Sequence, residues 1–210
     1  MSPRTTAGDR AYDAIRRSIL DGDVTVGTML SENELAASLS MSRTPVRAAL
    51  HRLQAEGWIT IYPQRGALVN GLGAQEVQEA AELRHALETA GVRRGTPRAR
   101  AAGETGLAAN LASQQVALDG GDFAAFARLA LDFHRGFVAL AANDLMLATY
   151  DRLRDRQLMS IAQSAGRITG DPAQLLAEHR GLLDAALAGD DARFADLLEQ
   201  HQARSHGFAG

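Results

Sequence analysis

Three histidines in the C-terminal half of the chain, His134, His179 and His201, lie on three separate segments with helical periodicity. Imidazole is a common ligand of divalent metals, and three imidazoles with an open fourth position suit Zn²⁺ or a related ion. The open position would accept a carboxylate oxygen from a small molecule. Spacing does not show convergence, and each histidine taken singly is better explained as a hydrogen-bonded interior or surface residue.

A second group of polar residues surrounds the start of a predicted helix near the N-terminus. Ser42 is a helix-capping residue, and Pro45 is tolerated in the first turn. Arg43 and Arg47 each have a planar guanidinium group that can donate to guanine O6 and N7 together. The hydroxyls of Ser42 and Thr44 suit a phosphate oxygen or a single base contact. The chemistry of this group is that of a DNA-reading surface.

Two short helices position that group. Apolar residues recur on one face of Glu32–Leu39 and on one face of Ser42–Glu56. Two close helices of this kind are typical of a helix-turn-helix, in which the N-terminal residues of the second helix meet base edges in the major groove. Small helical hairpins without a nucleic-acid partner have the same periodicity, so periodicity alone leaves DNA binding open.

Two short β segments follow the second helix and predict a two-stranded wing. Trp58–Tyr62 and Ala67–Asn70 flank the turn at residues 63–66. Arg65 in this turn would reach the adjacent minor groove or the DNA backbone.

Composition limits the classes of protein. The 210 residues are 46% hydrophobic, enough for a small recognition domain and one larger helical domain. The net charge is −3, but between Ser42 and Gly66 four arginines face one acid, Glu56, so the basic surface is local. The chain has no cysteine, which excludes disulfides and thiolate metal sites. No apolar run approaches the length of a bilayer span, and we expect a cytoplasmic protein with no membrane partner.

The chain divides into an arm and two domains. We expect residues 1–8 to form a disordered arm, residues 9–70 a winged helix-turn-helix domain, and residues 71–73 a linker. Residues 74–210 show only helical periodicity and predict an all-α antiparallel bundle of six helices. These helices are Ala74–Arg93, Pro97–Asp119, Asp122–Ala142, Asp144–Gly166, Pro172–Ala188 and Asp190–Ser205.

The order of elements from Tyr12 to Asn70 resembles the N-terminal domain of the GntR superfamily of bacterial transcription regulators. The matching stretches are YDAIRRSILDGDVTVGTML, SENELAASL, SMSRTPVRAALHRLQAEGWI and RGALV. The resemblance implies an operator-facing set of Arg43, Thr44, Pro45 and Arg47, with Arg65 and Gly66 in the wing. Asn33 stands where members of the family often have a phosphate-contacting arginine.

The rest of the chain resembles the FCD ligand-binding domain of the FadR-like branch. The matching motifs are Phe133-His134-Arg135, Asn143-Asp144-Leu145-Met146, Glu178-His179-Arg180 with Ala185, Gly189 and Asp190, and His201. In many such domains three histidines and one aspartate bind a metal, and the effector is usually a small organic acid. The position of that aspartate is Ala130 here.

The change at Ala130 leaves three outcomes for the predicted metal site. The site binds a divalent metal more weakly, takes a water or effector oxygen instead, or serves as a metal-free polar pocket. Asp132 is an unlikely substitute, since a residue two positions before His134 on a regular helix points well away from the imidazole.

The segment ELRHALE also matches this resemblance, which places an arginine of this segment in the effector pocket. Arg84 is therefore the candidate anchor for an effector carboxylate, together with the imidazoles of His134, His179 and His201. The alternative is an Arg84 that is solvated or paired with a glutamate.

The combined prediction is a homodimeric DNA-binding transcription regulator, a repressor whose operator affinity a small metabolite controls. We expect the helical domain to form the dimer. A metal-dependent hydrolase is one rival, but no paired carboxylate base lies near the histidine motifs. A DNA-binding structural protein without ligand is another, and it predicts a solid apolar core.

Overall fold

Two units, divided between Gly71 and Leu72, make up the chain. A computed structural model describes residues 6–164 and 170–206. Each unit has its own core.

The N-terminal unit is a winged helix-turn-helix, as predicted. Its third helix carries the N-terminal turn that would meet DNA, and its last two strands form an antiparallel hairpin. The elements are α1 (Ala7–Leu20), β1 (Met29–Leu30), α2 (Glu32–Ser38), α3 (Arg43–Ala55), β2 (Ile59–Tyr62) and β3 (Gly66–Val69).

The sheet has three strands in the order β1-β3-β2, so the prediction of a two-stranded wing was incomplete. Met29 pairs with Leu68, and Leu30 pairs with Ala67. This strand is only two residues long, and no alternation of apolar and polar residues can mark a strand so short. It holds the outer edge of β3 and fixes the wing to the body of the unit.

Helix α1 begins inside the predicted arm, at Ala7. Thr6 and Asp9 form a capping box, in which Thr6 Oγ1 accepts from the Asp9 amide at 3.1 Å and Asp9 Oδ2 accepts from the Thr6 amide at 3.0 Å. The prediction of a disordered arm over residues 1–8 is therefore wrong for residues 6–8. Residues 1–5 of the predicted arm lie outside the described residues.

The C-terminal unit is all-α over its described residues. Its helices are α4 (Ala74–Arg94), α5 (Pro97–Asp119), α6 (Phe123–Ala139), α7 (Asp144–Arg152), α8 (Arg154–Gln163), α9 (Pro172–Ala188) and α10 (Asp191–His206). Leu72, predicted as linker, is held within this unit, since its amide donates to Gln163 Oε1 at 3.1 Å. Within the described residues, no helix is both long and apolar enough to cross a bilayer.

The predicted helix Asp144–Gly166 is wrong, because the chain forms two helices there. At Leu153 the backbone amide donates to the Tyr150 carbonyl, three residues back, at 2.9 Å. That tighter turn ends α7 at Arg152, and α8 starts at Arg154. The last predicted residues, 165 and 166, lie outside the described residues.

Helix α6 is the centre of the C-terminal core. Phe133 and Phe137 are fully buried and meet edge to face, with ring centroids 4.8 Å apart. Gly91 lets α4 approach α6 closely, since a Cβ there would collide with the Phe137 carbonyl oxygen and lie 2.7 Å from Val138 Cα. This approach brings the side chains of α4 and α6 into contact.

Replacement of Gly91 by alanine tests that close approach. We expect Gly91→Ala to destabilise the protein by about 1–3 kcal/mol, because the added methyl must push two backbones apart. Gly106→Ala is the matched control: Gly106 is also helical, but its Cβ would meet open space. It should stabilise the protein by about 1 kcal/mol through helix propensity. Urea unfolding measures both, and equal effects would contradict the account.

Candidate functional site

Three imidazoles from three helices meet in the core of the C-terminal unit. His134 on α6, His179 on α9 and His201 on α10 are buried, with ring centroids 4.8 to 5.2 Å apart. Each offers one ring nitrogen to a common space, and these nitrogens lie within 4.8 Å of one another. The structure thus brings together the three histidines whose convergence the sequence left open.

Each imidazole is oriented by a hydrogen bond from Nδ1 to a side-chain oxygen. The bonds join His134 to Glu88 at 2.7 Å, His179 to Gln114 at 2.6 Å, and His201 to Glu178 at 2.8 Å. When Nδ1 donates to an oxygen, the proton of a neutral imidazole is on Nδ1 and the lone pair is on Nε2. This arrangement places the lone pair of each neutral ring on Nε2.

Arg84 contacts one of these lone pairs directly. Its Nη2 lies 3.1 Å from His134 Nε2. A guanidinium has only donors, so His134 Nε2 must accept this bond and His134 Nδ1 must carry the proton that Glu88 accepts. Both nitrogens of His134 are therefore assigned by their partners.

Glu88 connects three elements of this cluster. Its side chain is fully buried and accepts from Arg84 Nε at 2.7 Å, from the Tyr150 hydroxyl at 3.2 Å, and from His134. Burial raises the pKa of Glu88, and the charge of Arg84 opposes that rise. Burial likewise raises the pKa of Tyr150 well above its usual value, which keeps its hydroxyl protonated as a donor.

His179 carries the one ring nitrogen of the cluster that is buried without a hydrogen bond in the described part of the chain. This atom is Nε2. Burial, helped by the nearby His201 and His134, lowers the pKa of His179 well below its usual value, so the ring is neutral at pH 7. A buried acceptor without a donor is costly, and its presence points to a ligand with an electrophilic or hydrogen-bonding atom.

The space between the rings is small. A cavity of about 20 Å³ is lined by the three histidines together with Arg84, Phe126, Ala130, Ile161, Leu175 and Ser205. That volume holds one water or one ion but not an organic acid. Ala130 presents a methyl group to it, whereas Asp132 lies outside, ion-paired with Arg154 at 2.7 Å. Asp132 is thus no substitute ligand, as the sequence predicted.

A second site lies in the N-terminal unit, in a groove between α3 and the wing. Arg43, Arg47, Arg65 and Gly66 line this groove, as does Asn33. The other predicted contact residues, Ser42, Thr44 and Pro45, stand on the first turn of α3 or just before it, outside the groove lining. Ser42 occupies the N-cap position, but its side chain makes no capping hydrogen bond, contrary to the sequence prediction.

The basic surface of this unit is narrower than the sequence indicated. Arg52 pairs with Glu56 at 3.1 Å and with Asp9 at 3.6 Å, and its guanidinium stacks over the Tyr12 ring at 3.7 Å. Arg47 pairs with Glu32 at 2.8 Å, an interaction that sequence separation did not suggest. The arginines of the groove are Arg43, Arg47 and Arg65.

Sequence reasoning assigned no role to the oxygens that orient the imidazoles. Glu88 lies four residues after Arg84 on one helix, a spacing that predicts a pair, and the alternative of a glutamate-paired Arg84 is the arrangement present. Glu178 precedes His179 in sequence but contacts His201. Gln114 carried no signal, because its partner is 65 residues away.

Comparison with known families covers both units. Residues 7–69 match the family described as bacterial regulatory proteins, gntR family, and residues 79–204 match the FCD domain. The two matches follow the same division of the chain as the two units described above.

Full-length relatives agree with these matches. The chain is 32% identical to the "Probable D-xylose utilization operon transcriptional repressor" of Paenarthrobacter nicotinovorans, over 95% of this chain and 87% of that protein. It is 28% identical to the HTH-type transcriptional repressor RspR of Escherichia coli K12, over 96% and 88%.

Solved structures support the fold. A GntR transcriptional regulator from Rhodococcus sp. RHA1 matches with a TM-score of 0.77 at 21% identity, over 97% of this chain and 99% of that one. Escherichia coli McbR/YncC matches with a TM-score of 0.69 at 21% identity, over 94% and 93%.

Replacement of Glu88 by glutamine tests the buried cluster. A neutral amide has one acceptor oxygen for the donors of Arg84 and His134 and leaves a buried cation without its counter-charge. We expect Glu88→Gln to cost about 3–5 kcal/mol of stability in urea unfolding. Glu82→Gln, an exposed change on the same helix, should stay within about 0.5 kcal/mol. A similar small loss for both variants would show that the cluster does not depend on the carboxylate.

Proposed function

The chain belongs to the GntR family of bacterial regulatory proteins, carries an FCD domain and is a DNA-binding transcription regulator rather than an enzyme, and we propose that it is a repressor controlled by a small organic acid. The observation that carries the proposal is the buried cavity of three imidazoles with Arg84 in its wall. A structural protein without ligand would have an apolar core there. Binding to operator DNA agrees with the predicted cytoplasmic location, because bacterial DNA lies in the cytoplasm.

The N-terminal unit supplies the operator contacts in this proposal. Arg43, Arg47 and Arg65 line one groove, and their positive charge suits contacts with DNA phosphates and with base edges. Gly66 lies in the same groove, at the wing, where the chain turns with φ of 115°. The proposed contact set is Ser42, Arg43, Thr44, Pro45, Arg47, Arg65 and Gly66.

The C-terminal unit supplies the effector site. Arg84 is proposed to bind an effector carboxylate, and the imidazoles of His134, His179 and His201 complete the polar wall. In the conformation described, Arg84 is occupied by Glu88 and His134, and the cavity of about 20 Å³ is too small for an organic acid. Effector binding therefore requires the cluster to rearrange, and that rearrangement is the source of the regulatory signal.

A divalent metal fits the same three histidines. All three Nδ1 atoms are held by oxygen partners, the arrangement that orients imidazoles for metal binding through Nε2. The buried His179 Nε2 has no hydrogen-bond partner among the residues that the structure describes. When bound, the metal would act as a Lewis acid that accepts an effector carboxylate oxygen. Because Arg84 donates to His134 Nε2, metal binding would require that N–H to move away.

Regulation requires two arrangements of the DNA-binding units with different effector affinity. We propose a homodimer formed through the helical domains, so that two winged helices read the half-sites of a pseudo-palindromic operator. An effector that binds the two arrangements with affinities differing by about 1–3 kcal/mol would change operator affinity by the same factor, and DNA would change effector affinity equally. Sedimentation equilibrium would measure the stoichiometry.

The division of labour is testable with two substitutions. Arg47→Ala should weaken binding to a duplex selected from a random pool by the wild-type chain, by about 1–3 kcal/mol, because a base contact is lost. Binding of divalent metal should be unchanged. His179→Ala should abolish metal binding. Without metal, this variant should bind the duplex as the wild-type chain does. Equal loss of both activities in either variant would refute the division.

Metal removal and addition test the imidazole site. We expect Zn²⁺ added to the chelator-treated chain to raise the midpoint of thermal unfolding, since a ligand of the folded state stabilises it. His179→Ala should lose this rise. His51→Ala is the control, because it removes an exposed imidazole of the other unit and should keep the full rise. If the wild-type chain shows no rise, the cavity is a metal-free polar pocket.

A further inference from the structure

The carboxylate of Glu32 accepts hydrogen bonds from one edge of Arg47, on the proposed DNA-reading helix α3. Glu32, at the first position of α2, accepts from Arg47 Nε at 3.1 Å and from Arg47 Nη2 at 2.8 Å. The Arg47 side chain is nevertheless 59% exposed. The pair joins α2 to α3 at the mouth of the groove, so the guanidinium is held in one orientation before DNA arrives.

The presence of this acid is unexpected for a surface that binds a polyanion. Among the described residues that line the groove, Glu32 is the one acid. The hydrogen bonds from Arg47 lower the pKa of Glu32, and the charges of Arg43 and His51 act in the same direction, so the group stays ionised. An ionised carboxylate next to phosphates weakens binding to every DNA sequence alike. Its benefit must then lie in something other than affinity.

The geometry indicates what that benefit is. A guanidinium has five N–H donors, and Glu32 takes the edge formed by Nε and one hydrogen of Nη2. Glu32 does not use the other donors of the guanidinium, which are both hydrogens of Nη1 and the second hydrogen of Nη2. These donors lie at the outer end of the side chain. Two parallel donors on that end match the O6 and N7 acceptors of guanine. Glu32 also fixes the direction in which that end points.

We propose that Glu32 is a specificity-determining residue of the DNA interface, which holds Arg47 for end-on recognition of a guanine and keeps it from swinging to a phosphate. This inference rests on the proposal that Arg47 faces DNA. Arg43 and Arg65 differ from Arg47, because neither forms an ion pair within the described residues. These two remain free to follow the phosphate backbone, which is the sequence-independent part of binding.

The test compares a specific with a non-specific duplex. The probes are the duplex that the wild-type chain enriches most from a random pool and a scrambled duplex of equal length. Glu32→Gln removes the charge and the acceptor pair, whereas Glu32→Asp keeps the charge but is one methylene too short to hold both nitrogens. Glu34→Gln is the matched control, since Glu34 is an exposed acid of the same helical turn.

The expected result is a change in the specificity ratio, which is the dissociation constant for the scrambled duplex divided by that for the enriched duplex. Both Glu32 variants should lower this ratio by about tenfold, with the loss confined to the base pair at which Arg47→Ala also loses discrimination. Glu34→Gln should shift both constants together and leave the ratio unchanged.

Two other outcomes separate this inference from the function on which it rests. If Arg47→Ala loses discrimination while both Glu32 variants keep the wild-type ratio, Glu32 acts only as a nearby charge and the inference is overturned. If Arg47→Ala itself binds both duplexes as the wild type does, Arg47 does not face DNA, and the proposed operator contacts fail with it. Circular dichroism confirms that each variant is folded.

Discussion

The buried carboxylate of Glu88 is the interaction on which the C-terminal unit depends. It accepts hydrogen bonds from Arg84 on its own helix, from His134 on α6 and from Tyr150 on α7. Without this charge, Arg84 would be a buried cation with no counter-charge, and such groups are strongly destabilising. The close packing of α4 on α6 at Gly91 brings these groups within reach, so packing and electrostatics support one arrangement.

Each unit pairs an arginine of its proposed site with a glutamate, in environments that differ in burial. Arg84 and Glu88 are almost completely buried, with exposed side-chain fractions of 5% and 0%, and they can be parted only if a ligand replaces the lost contacts. Arg47 and Glu32 are exposed by 59% and 30%, so water screens their attraction and DNA can meet the free end of the guanidinium. In the proposed function, an effector would separate the buried pair, whereas the exposed pair would orient Arg47 toward a base.

Much of this fold could be predicted from sequence, because helical periodicity and capping residues are local signals. The resemblance to the FCD domain also implied a shared site for the three histidines and Arg84, and these four residues line one cavity. What could not be predicted were long-range partners: Gln114, Tyr150 and Glu32 gain their roles from packing between elements far apart in the chain. The break at Leu153 could not be predicted either, because neither glycine nor proline marks it in the sequence.

The proposed effector and metal site depends on imidazoles that turn Nε2, rather than Nδ1, toward one cavity. Nitrogen NMR of the chain labelled with ¹⁵N-histidine measures the protonation of each ring nitrogen directly, with one histidine substituted at a time for assignment. At pH 7, without metal, we expect His134 and His179 to be neutral and protonated on Nδ1. A proton on Nε2 of His134 or His179 would contradict the account, because Arg84 would then have no acceptor there or the cavity would lack its free lone pair.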